Sequence, residues 1–90
     1  MTMCSKEEQL KIDLTYLTMK DVINHNENNT YSLTEKTRFC IEHNLKTERK
    51  AKAFTHAVMM LTGDFLYAED ITRYVKVLQA IYYWKPEKAD

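Results

Sequence analysis

Cys40 and His43 are the two side chains whose types and spacing come closest to reactive chemistry in this sequence. Three residues apart, they would share one side of a helix, where a thiol and an imidazole can act as nucleophile and base or as two zinc ligands. A structural zinc site needs two compact ligand pairs, whereas the remaining donors are the isolated Cys4, His25 and His56. Cys40 also falls on the apolar side of its predicted helix, where cysteine behaves as a small hydrophobic residue. The sequence therefore predicts no metal site and no cofactor.

Motifs of the common enzyme classes are missing from the sequence. It has no glycine-rich phosphate loop, no nucleophile elbow and no His-Glu pair at metalloprotease spacing. A chain of 90 residues would also have difficulty enclosing a substrate pocket around Cys40 and His43. Glu69 and Asp70 are better explained as negative charges in the first turn of a helix, where the helix dipole favours them. We expect a protein that is not an enzyme and that takes no small-molecule substrate.

A basic segment, CIEHNLKTERKAKAF, covers residues 40–54. A DNA-binding helix-turn-helix needs a small residue in its first helix, a left-handed turn residue four places later, then an apolar residue and a capped second helix. Cys40, Asn44, Leu45 and Thr47 occupy these positions in order. In outline, the turn at Asn44 with the helices on either side of it resembles the helix-turn-helix class over about one quarter of the chain.

The basic side chains of this segment are the candidate nucleic-acid contacts: Lys46, Arg49, Lys52 and His56. On a helix, Arg49, Lys52 and His56 would project together from the outer side, where they could reach phosphates or guanine edges. Against this hypothesis, the second helix has Lys50 where an apolar residue is expected, and the chain as a whole is neutral. The alternative is an ordinary helical hairpin with a solvated basic side.

Apolar residues are in surplus, and this surplus predicts a protein interface. In the last predicted helix Val77, Ala80 and Trp84 form a second apolar strip, well off the face expected to meet the core. With the neighbouring tyrosine they make up the candidate interface: Val77, Ala80, Tyr83 and Trp84. Tyr, Trp and Met are enriched where proteins meet. The first predicted helix is also apolar on two sides, which is typical of a helix buried between neighbours or shared with a partner chain.

Composition favours an all-α protein. Apolar residues make up 44% of the chain and charged residues 29%, values that are ordinary for a folded domain. Gly63 is the single glycine and Pro86 the single proline, whereas the tight turns of a sheet protein draw on both residue types. The prediction is one compact domain over residues 1–90, with about four helices in a bundle or helix-turn-helix-like arrangement.

The formal charge balances, with 13 basic and 13 acidic residues, so no global field draws the chain toward nucleic acid or an anionic membrane. The start, MTMCSKEEQLK, has no apolar stretch of the kind a signal peptide needs, and no segment approaches a membrane span. Two cysteines do not make a disulfide framework. We expect a cytosolic protein with reduced thiols and no membrane contact.

Four helices are predicted, at about residues 6–25, 33–43, 48–62 and 65–84. Capping boxes at Ser5-x-x-Glu8 and Ser32-x-x-Glu35 mark the first two starts. The first helix includes LKIDLTY, residues 10–16, whose alternation leaves a strand as the alternative. Residues 24–31 are polar and rich in Asn, which indicates a loop.

Turn residues set the remaining helix boundaries. Asn44 is expected in the left-handed conformation that ends the second helix, with Thr47 capping the third. Gly63 is a natural stop for the third helix and Asp64 a cap for the last, which Pro86 would end.

The leading functional hypothesis is a small non-enzymatic α-helical regulatory or adaptor protein that binds another protein or itself. Such proteins often inhibit or redirect a larger machine, for instance in mobile genetic elements, and a homodimer is expected. The alternative is a DNA-binding transcriptional regulator that uses its 47–60 helix as a dimer.

Overall fold

Residues 5–84 are described by the computed structural model, and the first helix, α1, runs over Lys6–Met19. The predicted capping box is confirmed: the Ser5 hydroxyl accepts the Glu8 N–H at 3.1 Å, and the Glu8 carboxylate accepts the Ser5 N–H at 3.3 Å. These two bonds satisfy amide groups that have no partner inside the helix. Residues 10–16 are helical, so the strand alternative for them is wrong.

A β-hairpin follows α1, where the sequence predicted the end of a helix and then a loop. Strand β1, Ile23–His25, pairs antiparallel with β2, Tyr31–Leu33. The predicted helix over residues 6–25 was therefore too long. Asp21 takes a left-handed conformation with φ 60°, which ends the helical path and turns the chain into β1. The buried Val22 then anchors the strand to the core.

The second helix, α2, covers Glu35–Leu45 and begins after Thr34. The Thr34 hydroxyl accepts the Thr37 N–H at 3.4 Å, so Thr34 is the N-cap. The predicted capping box at Ser32 is wrong, because Ser32 belongs to strand β2. Pairing with β1 takes up the backbone of this residue and moves the helix start two positions along the chain.

The turn after α2 also differs from the prediction. Asn44 is helical, and Lys46, which follows the last residue of α2, is right-handed with φ −73°. Helix α3 covers Lys50–Thr62 after Arg49, with no side-chain cap. Thr47 instead has its hydroxyl 3.5 Å from the Asn44 carbonyl oxygen. The left-handed Asn44 and the Thr47 cap were both wrong.

Helix α3 ends as predicted at Gly63, which is left-handed with φ 65°. The last helix, α4, covers Ala68–Tyr83 and starts after Tyr67. The predicted Asp64 cap is wrong, because the Asp64 carboxylate accepts a hydrogen bond from Tyr16 and pairs with Lys20 at 2.9 Å. Pro86, the expected stop for this helix, lies outside the described residues.

One hydrophobic core joins all the elements. Helices α2 and α3 pack on each other, α3 packs on α4, and the hairpin lies against α1 and α4. The fully or nearly fully buried apolar residues are Leu17, Val22, Ile23, Leu33, Ile41, Ala53, Phe54, Ala57, Val58, Tyr74 and Leu78. The predicted all-α class and single compact arrangement are confirmed, with the two-stranded hairpin as an addition. Within residues 5–84, no helix combines the length and apolar character needed to cross a membrane.

Helices α1 and α4 contact each other through an aromatic pair and an ion pair. Near one end, the rings of Tyr16 and Tyr74 are stacked with centroids 5.1 Å apart. One turn earlier on α1, Asp13 is bound by Arg73, the residue before Tyr74 on α4. This packing places α1 on one side of α4 and positions the surfaces described next.

Candidate interaction surfaces

The first candidate surface is the predicted nucleic-acid site, here called the basic face: Lys46, Arg49, Lys52 and His56. Lys46 and Arg49 lie at the two ends of the turn between α2 and α3, and both are exposed. Lys52 is exposed and His56 half-buried, each on α3. The structure therefore brings the four residues to one end of the α2–α3 pair.

A carboxylate interrupts the basic face. Nδ1 of His56 lies 2.8 Å from Oε1 of Glu48, whose side chain is only 20% exposed. Glu48 thus places a negative charge beside the imidazole and holds its Nδ1 atom. The three other basic side chains form no ion pair within the described part of the chain. Sequence reasoning did not assign this role to Glu48, since the eight-residue separation from His56 crosses the turn.

Asn44 connects the two helices through its side chain rather than through a special backbone conformation. Its Nδ2 atom donates to the carbonyl oxygen of Ala53 at 3.4 Å and lies 3.8 Å from Sγ of Cys40. Because Asn44 is helical, the left-handed residue expected for a helix-turn-helix turn is not formed at this position. The α2–α3 pair is a helical hairpin with a different turn.

Cys40 has the environment of a structural cysteine. It is half-buried against the core, and burial raises the pKa of its thiol, which disfavours the thiolate that nucleophiles and metal ligands require. The His43 ring stacks on Phe39 with centroids 6.1 Å apart. Within residues 5–84 no group of three or more His, Cys, Asp or Glu side chains is arranged to hold a metal ion. Cys4 lies outside the described residues.

The second candidate surface is here called the α4 strip: Val77, Ala80 and Trp84. At 100° per residue, these positions fall within about 60° of one another around α4. Trp84 is 62% exposed, Ala80 is exposed and Val77 is half-buried. They occupy the side of the helix that the core residue Leu78 does not use.

Tyr83, the fourth residue of the predicted interface, lies on a different side of the helix. Its ring centroid is 6.0 Å from that of the buried Phe54, and Nζ of Lys50 lies 4.3 Å from the Tyr83 centroid. A cation over an aromatic face is attracted by the ring quadrupole. The structure therefore separates Tyr83 from the α4 strip and gives it, with Lys50, a role in closing the α3–α4 end of the core.

A groove lies at the Trp84 end of the α4 strip, between α4 and the hairpin. It has a volume of about 330 Å³ and is lined by Thr30, Tyr31, Ala80, Ile81 and Trp84. The Tyr31 ring is fixed by stacking on His25, with centroids 4.5 Å apart. No sequence signal pointed to Tyr31 in this site, because residues 24–31 were expected to form a loop.

A further groove lies at the Val77 end, between α4 and the N-terminal half of α1. Its volume is about 360 Å³, and its lining residues are Lys6, Gln9, Leu10, Asp13, Arg73, Lys76 and Val77. Leu10 is 48% exposed and forms an apolar wall opposite Val77. The α4 strip is thus continued by grooves at both of its ends.

The ion pair of Asp13 with Arg73 forms the base of the Val77 groove. Asp13 is only 2% exposed, and its carboxylate accepts from Nε of Arg73 at 2.9 Å and from Nη2 at 3.3 Å. Gln9 donates to the same carboxylate at 3.0 Å, and Asp70 accepts from Arg73 at 2.6 Å. Hydrogen bonding to Asp13 raises the pKa of Arg73 further, so this cation is permanent. The network holds α1 against α4.

The outer side of α1 carries a third apolar surface. Ile12 is 53% exposed and Met19 80% exposed, and both line a groove with Tyr16. Phe65, in the loop before α4, is fully exposed. Of the two apolar sides predicted for the first helix, the inner side contains the buried Leu17. The outer side, with Ile12 and Met19, is not covered by any other part of residues 5–84.

Comparisons of the chain with protein-family models, with curated protein sequences and with solved structures found no match. Function is therefore inferred from the surfaces described above.

Proposed function

We propose that this chain is a small cytosolic, non-enzymatic regulatory or adaptor protein that acts by binding another protein through the α4 strip. The observation that carries the proposal is the exposed Trp84 at the end of an apolar strip with a groove at each end. Contact of such apolar side chains with water is unfavourable, and contiguous exposed apolar surface marks interaction sites. Tryptophan in particular is enriched among the residues that dominate binding energy.

The proposal is supported by what α4 already buries. Tyr74 and Leu78 are buried in the core, and they form the apolar side by which α4 packs on the rest of the fold. Val77 is partly buried against that core, whereas Ala80 and Trp84 are exposed, so folding alone does not account for these two residues. Binding would bury them against a partner, which can be a larger machine that this protein inhibits or redirects, or a second copy.

Site-specific photocrosslinking tests this proposal on the full chain in its native cells. The photoreactive phenylalanine analogue p-benzoylphenylalanine replaces Trp84 in one variant and Phe39 in a matched control. Phe39 is an aromatic residue that is 72% exposed on α2, away from the α4 strip. We expect a discrete crosslinked product from position 84 and none from position 39. A product of twice the chain mass identifies self-association. Equal products from both positions, or none from position 84, contradict the proposal.

A DNA-binding transcriptional regulator is the second candidate. The observation that favours it is the pair of exposed cations Arg49 and Lys52, which form no ion pair among residues 5–84 and lie on one side of α3. Dimerisation through α1 or α4 would present two copies of α3 to successive half-sites.

Fluorescence anisotropy of a labelled random duplex at two salt concentrations tests this candidate. Removal of one cation that binds a phosphate should reduce the slope of log affinity against log salt by about 0.9. The double variant Arg49→Ala/Lys52→Ala should therefore lower the slope by about 2. The control variant Lys11→Ala/Lys76→Ala removes the same charge elsewhere. Unchanged affinity in the first variant excludes the basic face, and absence of any binding at low salt excludes DNA binding.

A further inference from the structure

We propose that the occupant of the α4 strip is an amphipathic helix of another protein whose polar side is acidic. This inference rests on the proposed function, since it names the chemical class of the partner for the same surface. It goes beyond that function in specifying both the secondary structure and the charge of the partner.

The spacing of the α4 strip favours a helical occupant. Val77, Ala80 and Trp84 stand at i, i+3 and i+7, the spacing at which one helix meshes with another along a seam. The strip is about 10 Å long at 1.5 Å per residue, which matches about two turns of a partner helix. An amphipathic helix that lays its apolar side in a groove is a recurrent mode of peptide recognition.

The walls of the strip complete a site of the right shape. Leu10 of α1 stands opposite Val77, and Tyr31 of the hairpin stands opposite Trp84. A partner helix between these walls would cover Leu10 and Trp84, which are 48% and 62% exposed. Three different elements therefore present apolar atoms to one occupant.

Charge at the rim favours an acidic partner. Lys6 and Lys76 both line the Val77 groove, and neither forms an ion pair within residues 5–84. The only carboxylate among the residues that line the two grooves is Asp13, which is 2% exposed and bound by Arg73. Arg73 is also paired with Asp70. The accessible charge on this rim is therefore positive, and it complements Glu or Asp side chains.

The same rim disfavours a second copy of the chain as the occupant. A two-fold symmetric interface places the same patch of each copy against the other. The residues that line this patch include no accessible carboxylate, so a second copy would leave Lys6 and Lys76 without counter-charges. A different protein with an acidic helix supplies these counter-charges.

Three labelled synthetic peptides provide the probe for the test, which uses the full chain. Each peptide has 18 residues and the same amphipathic pattern of Leu with one Trp, and the polar positions carry Glu, Gln or Lys. Fluorescence anisotropy measures their affinities. We expect the Glu peptide to bind about tenfold more tightly than the Lys peptide, as two exposed ion pairs allow.

Matched variants separate charge from apolar contact. Lys6→Glu/Lys76→Glu should remove or invert the preference for the Glu peptide, whereas the control Lys11→Glu/Lys52→Glu changes the net charge equally and should leave the preference intact. Ala80→Glu places a charge in the middle of the strip at an exposed position, so the fold should survive while all three peptides lose affinity. Circular dichroism verifies the fold of each variant.

The outcomes distinguish this inference from the proposed function. Equal affinity for the Glu and Lys peptides, lost in Ala80→Glu, overturns the acidic partner but supports the strip as a binding surface. If no peptide binds, the inference of a helical partner is wrong. Photocrosslinking at position 84 then tests the proposed function independently. A concentration-dependent dimer of the unmodified chain, abolished by Ala80→Glu in analytical ultracentrifugation, assigns the strip to a second copy and overturns the inference.

Discussion

The basic face and the α4 strip lie on neighbouring helices and both contain exposed side chains, but they differ in how well water solvates those side chains. Lysine and arginine are fully satisfied by water, and the basic face also contains its own counter-charge where Glu48 holds His56. The α4 strip presents Trp84 to water without any compensating interaction. A solvated charge needs no binding partner, whereas burial of exposed apolar surface against a partner lowers the free energy. The α4 strip is therefore the stronger candidate for a binding surface.

The two regions share a support in the core. Helix α3 carries the basic face and packs on α4, which carries the α4 strip. Between these helices Phe54 is completely buried, and its ring centroid lies 5.7 Å from that of Tyr82 and 6.0 Å from that of Tyr83. Lys50, at the start of α3, covers Tyr83 in turn. Changes at this junction should affect both regions, whereas changes on each surface should affect one of them.

The largest expected effect comes from Phe54→Ala, which removes the shared support. Loss of a fully buried phenylalanine leaves a cavity and should lower the free energy of unfolding by about 3–5 kcal/mol. Trp84→Ala is the comparison, and we expect less than about 1 kcal/mol because most of that side chain is already in water. Urea unfolding followed by circular dichroism measures both. Equal losses would show that Trp84 belongs to the core and would remove the basis of the α4 strip.

Arg73→Met should have the next largest effect and should act on the Val77 groove alone. It leaves the buried Asp13 carboxylate without its cation, a change that costs about 2–3 kcal/mol when the missing partner is one-third exposed. The same unfolding measurement applies, with Lys76→Met on the exposed side of α4 as the control. If the two variants have equal stability, the ion pair does not hold α1 against α4.

Glu48→Gln tests the basic face, because it removes the negative charge that lies beside His56. If phosphates bind there, duplex affinity at low salt should rise by up to about fivefold, since one repulsive charge disappears and His56 is released. Glu42→Gln, on the exposed side of α2, removes an equal charge as the control. A rise that is the same in both variants would reflect net charge and not the basic face.

The smallest expected effect concerns the far end of α1, where Tyr16 donates to Asp64. Burial, with hydrogen bonding to Asp64 as the second cause, raises the pKa of Tyr16 to about 12 from its ordinary value of 10.0. Because the pKa is higher in the folded chain, this contact contributes stability that is complete below pH 10 and is lost as the pH rises toward 12.

Tyrosine-selective NMR between pH 9 and 12 measures this titration, with Tyr16→Phe to assign the signal. Asp64→Asn should lower the pKa of Tyr16 without returning it to the ordinary value, since burial remains. In the opposite sense, acid should weaken the contact: hydrogen bonds from Tyr16 and Lys20 lower the pKa of Asp64, so its contribution persists until the pH falls through that lowered value. A Tyr16 signal that titrates at its ordinary pKa would show that the contact does not form in solution.

Much of the helical architecture could be predicted because its signals are local. The Ser5-Glu8 capping box and the stop at Gly63 each depend on a few neighbouring residues, and both are confirmed. The apolar spacing of the last helix likewise places Tyr74 and Leu78 in the core. Such features need no knowledge of the rest of the chain.

The hairpin could not be predicted in the same way. Each strand has only three residues, too few for an alternating pattern to stand out from an Asn-rich loop. Pairing of Ile23 with Leu33, ten positions apart, brings both side chains to the core and compensates for the short strands. The Ser32 cap was wrong for the same reason, since its motif is local and the strand that overrides it is not.

The candidate surfaces likewise combine features that are local in the sequence with contacts that form only between separate elements. Sequence alone determined that α4 carries more apolar residues than one core-facing side requires, and that a basic segment covers residues 40–54. Tertiary structure decided which of these residues lie together. Tyr83 contacts Phe54, His56 pairs with Glu48, and Leu10 and Tyr31 line the grooves at the two ends of the α4 strip. The physical reason is that helix periodicity fixes direction around one axis, while the partners across a groove are fixed only when separate elements pack.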